Sequence, residues 1–185
     1  MEKNAFSRWH FIRMAALASG SVLLLPACAN RPEKSSWRFF TEAEALLMDA
    51  IAEQIIPTDK WLGGKDAGVT NFIDKQLTGP YTRFQEIYRK GLALIRQTCE
   101  KDDQKLFEEL SWDEQFLFLK KMEAGKMEWN DCETGFDRQF FGLIKKHSLQ
   151  GYYGSPRHGG NKNYISYQML RLDYPLIIGQ NRYHT

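Results

Sequence analysis

The sequence predicts an all-α protein: a compact bundle of about five helices with a glycine- and aromatic-rich C-terminal loop region, preceded by a signal peptide. Three observations carry this. Apolar residues recur at the spacing of one helix face through most of the chain. Two strings, Thr41 to Glu44 and Ser111 to Glu114, have the Thr/Ser-x-x-Glu form of a capping box, and alternating Val/Ile/Thr runs of the kind half-buried strands need are missing. With 185 residues, 43% of them hydrophobic and 14% aromatic, the chain has material for one domain with a core and too little for several.

The first 28 residues read as a targeting segment. Lys3, Arg8 and Arg13 precede an apolar run from Met14 to Leu25. That run has the length of a signal-peptide core and falls short of the roughly 20 apolar residues a membrane-crossing helix takes. Leu25-Pro26-Ala27-Cys28 resembles a bacterial lipobox, in which the cysteine is acylated on sulfur and becomes the new N-terminus. Ordinary cleavage nearby and a retained anchor are the alternatives. Ser7-Arg8-Trp9-His10-Phe11-Ile12-Arg13 is similar to the twin-arginine export motif, with Trp9 in the place of the second arginine, which leaves the folded and unfolded export routes both open. The expected address is the periplasmic side of a bacterial membrane. Acyl chains on Cys28 would hold the protein there at about 0.8 kcal/mol per buried methylene.

Residues 29–36 form a polar tether, and residues 37–185 the helical domain. Its first helix opens at the Thr41 capping box, turns Leu47, Ile51 and Ile55 to one face, and is stopped by Pro57. After the Trp61-Leu62-Gly63-Gly64 loop, Val69, Phe72, Ile73 and Leu77 mark a second helix, ended at Gly79-Pro80. Phe84, Ile87, Tyr88, Leu92 and Ile95 make a third, from Tyr81 to about Lys101, with Glu86 and Lys90 on its wet face. The Ser111 box opens a fourth, which runs to near Gly125. Phe136, Phe140, Leu143 and Ile144 carry a fifth to about Gln150. Gly151-Tyr152-Tyr153-Gly154-Ser155-Pro156-Arg157-His158-Gly159-Gly160-Asn161 then reads as loop, because glycines supply backbone conformations that other residues resist.

Two further cysteines, Cys99 and Cys132, suit an oxidising compartment. Joined, they would close a loop of about 33 residues, worth roughly 3–4 kcal/mol in the chain-entropy model. A bridge to a partner chain and two buried thiols are the other readings.

Bases number 25 and acids 23, but Lys3, Arg8, Arg13 and Glu2 belong to the leader, which leaves 22 of each in the body. A neutral body lacks the positive field that nucleic-acid binding uses, so that class is set aside. Dinucleotide, phosphate-loop, haem and zinc-helix motifs are absent from the sequence. His147 reads as a helix-terminal surface residue and His158 is isolated. The pairs Asp102-Asp103 and Glu108-Glu109 point in different directions on a helix and so read as solvated surface. Trp61, Trp112 and Trp129 read as core or cap-packing residues.

Phe140-Phe141, the string from Gly151 to Asn161, Tyr167-Gln168-Met169-Leu170 and Tyr174-Pro175 resemble the gluconate 2-dehydrogenase subunit 3 family. The N-terminal half agrees through Phe40 to Leu46, Ile51 to Asp59, Gly64 to Gly68 and Val69 to Asp74. His158 stands where that family commonly has Tyr, Tyr167 where Trp is frequent, and Asp173 where Gly is frequent.

The resemblance implies a non-catalytic small subunit. FAD and the active site would lie in a large glucose-methanol-choline-type dehydrogenase acting on a sugar or polyol, with a cytochrome c subunit as a further partner. This chain, with no cofactor of its own, would bind the large subunit, serve its maturation and export, and anchor it. The residues expected to contact the partner or shape the contact loop are Tyr152, Tyr153, Pro156, Arg157, Gly159, Gly160 and Asn161. The competing expectation is a stand-alone periplasmic lipoprotein that binds a sugar or another small ligand.

Overall fold

A computed structural model describes residues 36–172, apart from 103, 130 and 131. The leader, Cys28, the motif from Ser7 to Arg13, and Tyr174-Pro175 lie outside the described residues. Among the described residues there are six α-helices and no strand. They are α1 (Glu42–Ile55), α2 (Val69–Leu77), α3 (Gln85–Asp102), α4 (Trp112–Glu123), α5 (Phe136–Tyr153) and α6 (Ile165–Met169). Single 3-10 turns at Thr82–Phe84, Phe107–Glu109, Pro156–His158 and Lys162–Tyr164 fill the connections. The five expected helices are α1 to α5; α6 is a short addition.

Both capping boxes form. The Glu44 amide donates to Thr41 Oγ1 at 3.2 Å while the Thr41 amide donates to Glu44 Oε2 at 2.8 Å. At α4 the Ser111 amide donates to Glu114 Oε2 at 2.7 Å. Each box satisfies N–H groups that the first helical turn leaves without a partner.

Helix α5 is the centre of the bundle and packs against α1, α2, α3, α4 and α6. Its Phe140, Ile144, His147, Ser148 and Gly151 stripe is buried along the whole length. Two glycines let neighbours come close. A Cβ on Gly91 of α3 would lie 2.1 Å from Phe140 Cε1, and one on Gly151 would lie 2.9 Å from the Phe72 ring of α2. This corrects the expected end of the fifth helix. Gly151, Tyr152 and Tyr153 are its last turn, because Gly151 serves close packing there and the chain leaves the helix only at Gly154.

His147 is likewise not a surface residue. It is 2% exposed and stacked on Tyr81 at 4.3 Å, with Nδ1 3.0 Å from the Tyr88 hydroxyl. Burial, with Lys146 and Arg83 adding positive charge, lowers its pKa to about 4. The extra turn of α5 places it mid-helix, on the core stripe.

The segment before α1 is strapped to α2 by one buried carboxylate. Asp74 accepts the backbone N–H groups of Arg38, Phe39 and Phe40 at 2.8, 2.8 and 2.9 Å. That seats Phe40 in the core. Trp61 and Trp129 pack against the core as expected, whereas Trp112 stands largely in solvent. Cys99 and Cys132 are not joined to each other; Cys99 is fully buried on α3 and Cys132 half-buried before α5.

Candidate functional site

The C-terminal loop begins where α5 ends and turns back on itself within a few residues. Gly159, Asn161, Asn163 and Tyr164 all have positive φ, at 103°, 45°, 57° and 58°. Glycine takes that region freely and asparagine tolerates it, but for tyrosine it is strained by about 1 kcal/mol or more. Strain of this kind persists only where surrounding contacts over-determine it.

Here those contacts are specific. Asn161 is fully buried and staples the two sides of the loop: Nδ2 donates to the Gly154 carbonyl and Oδ1 accepts the Ser166 amide, both at 2.9 Å. Gly160 lies against the last turn of α5, where a Cβ would come within 2.1 Å of the Gly151 carbonyl oxygen. Only a residue without a side chain lets those two backbones meet.

The loop is also braced against the first half of the chain. Asn71 Nδ2 donates to the Gly159 carbonyl at 2.7 Å, the Lys162 amide donates to the Ala67 carbonyl at 3.0 Å, and the Tyr152 hydroxyl donates to the Leu62 carbonyl at 2.8 Å. The receiving segment is itself fixed. Glu53 Oε1 accepts the Thr58 amide at 2.7 Å, and the Gly64 amide donates to the Ile56 carbonyl at 2.8 Å. The strings from Ile51 to Asp74 and from Gly151 to Asn161, far apart in sequence, thus form one structural unit.

The seven residues singled out from the sequence divide into two groups. Tyr152, Gly160 and Asn161 are buried, and Gly159 is half-buried with its carbonyl engaged, so these four shape the loop. Tyr153 and Arg157 are exposed and Pro156 half-exposed, so these three are presented. The Tyr153 ring rests edge-on against Tyr152 at 5.0 Å, which limits its freedom.

Beside the loop runs a groove of about 750 Å³, bordered by Trp37, Asp49, Lys65, Asn71, Pro156 and Lys162. Burial pushes the Asp49 carboxyl above its ordinary pKa, opposed by the Thr70 hydroxyl and Lys65 and reinforced by Asp66 and Glu53. Among the described residues no three of His, Cys, Asp and Glu lie together as a metal site would need. What the arrangement offers is a shaped, mixed-charge surface suited to binding.

Sequence reasoning missed Asn71, Lys162, Asp49 and Asp74. For Asp74 a signal existed: it falls on the Thr70 and Leu77 stripe of α2, so an acid there needed a buried partner. The Lys162 contact runs through its backbone amide, which no residue pattern announces.

A family model described as gluconate 2-dehydrogenase subunit 3 matches residues 42–173. Comparison with curated proteins and with solved structures gives no significant match.

Proposed function

The chain belongs to the gluconate 2-dehydrogenase subunit 3 family, and from that premise we propose that it is the small, non-catalytic subunit of a membrane-associated sugar or polyol dehydrogenase. In this reading the large partner is a glucose-methanol-choline-type flavoprotein that holds FAD and performs the oxidation. This chain binds it, assists its maturation and export, and keeps it at the periplasmic face of the membrane through lipid on Cys28. A cytochrome c subunit takes the electrons onward.

The observation that carries the docking role is the division of labour within the C-terminal loop. A backbone held by Asn71, Asn161 and Gly160 presents Tyr153 and Arg157 outward. Tyrosine and arginine are favoured interface anchors, and a contact surface ordered before binding loses less entropy on association.

Affinity capture of the tagged full chain from its native membranes tests this. The expected eluate is yellow with flavin, contains a large oxidoreductase, and oxidises a sugar or polyol. A colourless eluate holding this chain alone would sink the reading. The second reading, a sugar-binding lipoprotein, draws support from the mixed polar and apolar groove beside Trp37, since aromatic faces and mixed polar groups suit polyols. It predicts that colourless chain, with a melting temperature raised by sugar.

A further inference from the structure

Helix α4 turns an apolar face to solvent. Trp112, Phe116 and Leu117 are 49%, 48% and 64% exposed, while Gln115, Leu119 and Met122 on its other side are buried. Next to Phe116 a groove of about 240 Å³ is lined by Ile55, Leu119 and Phe141 together with Lys120 and Lys145. Large apolar side chains left in solvent along one helix mark a candidate interaction surface.

We propose that this face joins two copies of the chain about a two-fold axis that crosses α4 between Phe116 and Leu117. The face is self-complementary in charge. Its first turn is acidic, with Asp113 and Glu114, and its last is basic, with Lys120 and Lys121. Asp113 and Lys120 are equally far from the axis and lie on nearly the same line along the helix, at 3.6 residues per turn. Antiparallel pairing therefore sets Asp113 of each copy against Lys120 of the other, as an isologous contact requires. Lys120 Nζ is 3.0 Å from Glu123 of its own helix, and an ammonium keeps donors for a second carboxylate.

The face is self-complementary in shape as well. Trp112 lies one turn before Phe116 on the same flank of α4, and the groove runs from Phe116 past the axis to Glu123. The same rotation carries Trp112 of one copy over the groove of the other, while Phe116 and Leu117, one on each side of the axis, come near their own counterparts.

One helix face is a small interface, so the pairing is tested on native membranes, where the lipid anchor of the proposed function would concentrate the full chain. Leu117→Cys is introduced and a short bismaleimide is applied, with the native chain as background. Leu117 is exposed, and an unchanged melting temperature confirms that the variant folds. The expected product has twice the chain mass and contains only this polypeptide. A variant that folds but gives no new product, or gives one only with a different polypeptide, overturns the proposal. Asp113→Lys and Lys120→Glu should each lower the yield about fivefold, the effect of two exposed charge pairs made repulsive. Combined in one chain they should restore it; failure of the double variant to recover overturns the proposal too.

Discussion

The side-chain amide of Asn71 reaches the carbonyl of Gly159, 88 residues further along the chain, in a 2.7 Å hydrogen bond. It ties the first turn of α2 to the apex of the C-terminal loop and closes the brace between the two halves of the molecule. Asn71→Ala leaves that carbonyl without its donor at a part-buried position, at a cost of about 1–3 kcal/mol. Urea unfolding measures the loss. Hydrogen exchange at the neighbouring Lys162 amide should accelerate as well, and protection equal to that of the native chain would remove Asn71 from the brace.

Two glycine substitutions should move stability in opposite directions. Gly160→Ala drives a methyl into the Gly151 carbonyl, a backbone group that cannot step aside, so folding should be lost or weakened by about 3 kcal/mol or more. Gly142, inside α5, has open space around its would-be Cβ, so Gly142→Ala should stabilise by about 0.5–1 kcal/mol through helix propensity. Thermal melts of the two variants side by side check the contrast. Equal melting temperatures would contradict it.

Asp74→Asn tests the strap before α1. The carboxylate accepts three backbone N–H groups, and an amide offers one acceptor oxygen and brings donors into a buried site. The expected loss is about 3 kcal/mol, since hydrogen bonds to a charged group contribute about 1.5–3 kcal/mol each. Limited proteolysis ahead of Thr41 should become faster in the variant. Unchanged cleavage and stability would show that the other contacts of this segment, Phe40 in the core and Trp37 on Glu42 among them, seat it without Asp74.

Stability should fall in mild acid because of His147. Its folded pKa, about 4, lies below the ordinary imidazole value of 6.5, so the fold favours the neutral ring. The contribution is complete above pH 6.5 and is lost as pH falls from there toward 4. Over that window it amounts to about 3 kcal/mol at most, at 1.36 kcal/mol per pH unit. Denaturation midpoints of the native chain and of His147→Phe across this range isolate the effect from carboxylate titration. A slope equal in both chains would exclude His147 as its source.

Tyr153→Ala together with Arg157→Ala should leave folding within about 0.5 kcal/mol, as exposed changes usually do, and should remove the flavoprotein from the affinity eluate. Retention of the partner at native yield would move the docking surface away from the loop.

The helices were legible because their signals are local. The Thr41 and Ser111 boxes and the apolar stripes of α1 to α5 depend on residues within one or two turns, where side chains and backbone meet whatever the rest of the chain does. The glycine-rich string from Gly151 was legible as an unusual segment and not as what it is. Its first residues are helix, and a reading of glycine as loop former misses glycine as a contact. His147 follows from the same point: a helix ending at Gln150 would leave it terminal, and the turn from Gly151 to Tyr153 makes it part of the buried stripe.

By itself the sequence determined the all-α class, the order and capping of the helices, and the family. Tertiary structure alone decided which of the seven loop residues face inward. It also paired Asn71 with Gly159 and Asp74 with the N–H groups of residues 38–40, and it left Trp112, Phe116 and Leu117 in solvent. The physical reason is range. Helix formation and capping are settled by neighbours within a few residues, whereas the burial of a side chain depends on which distant segment covers it.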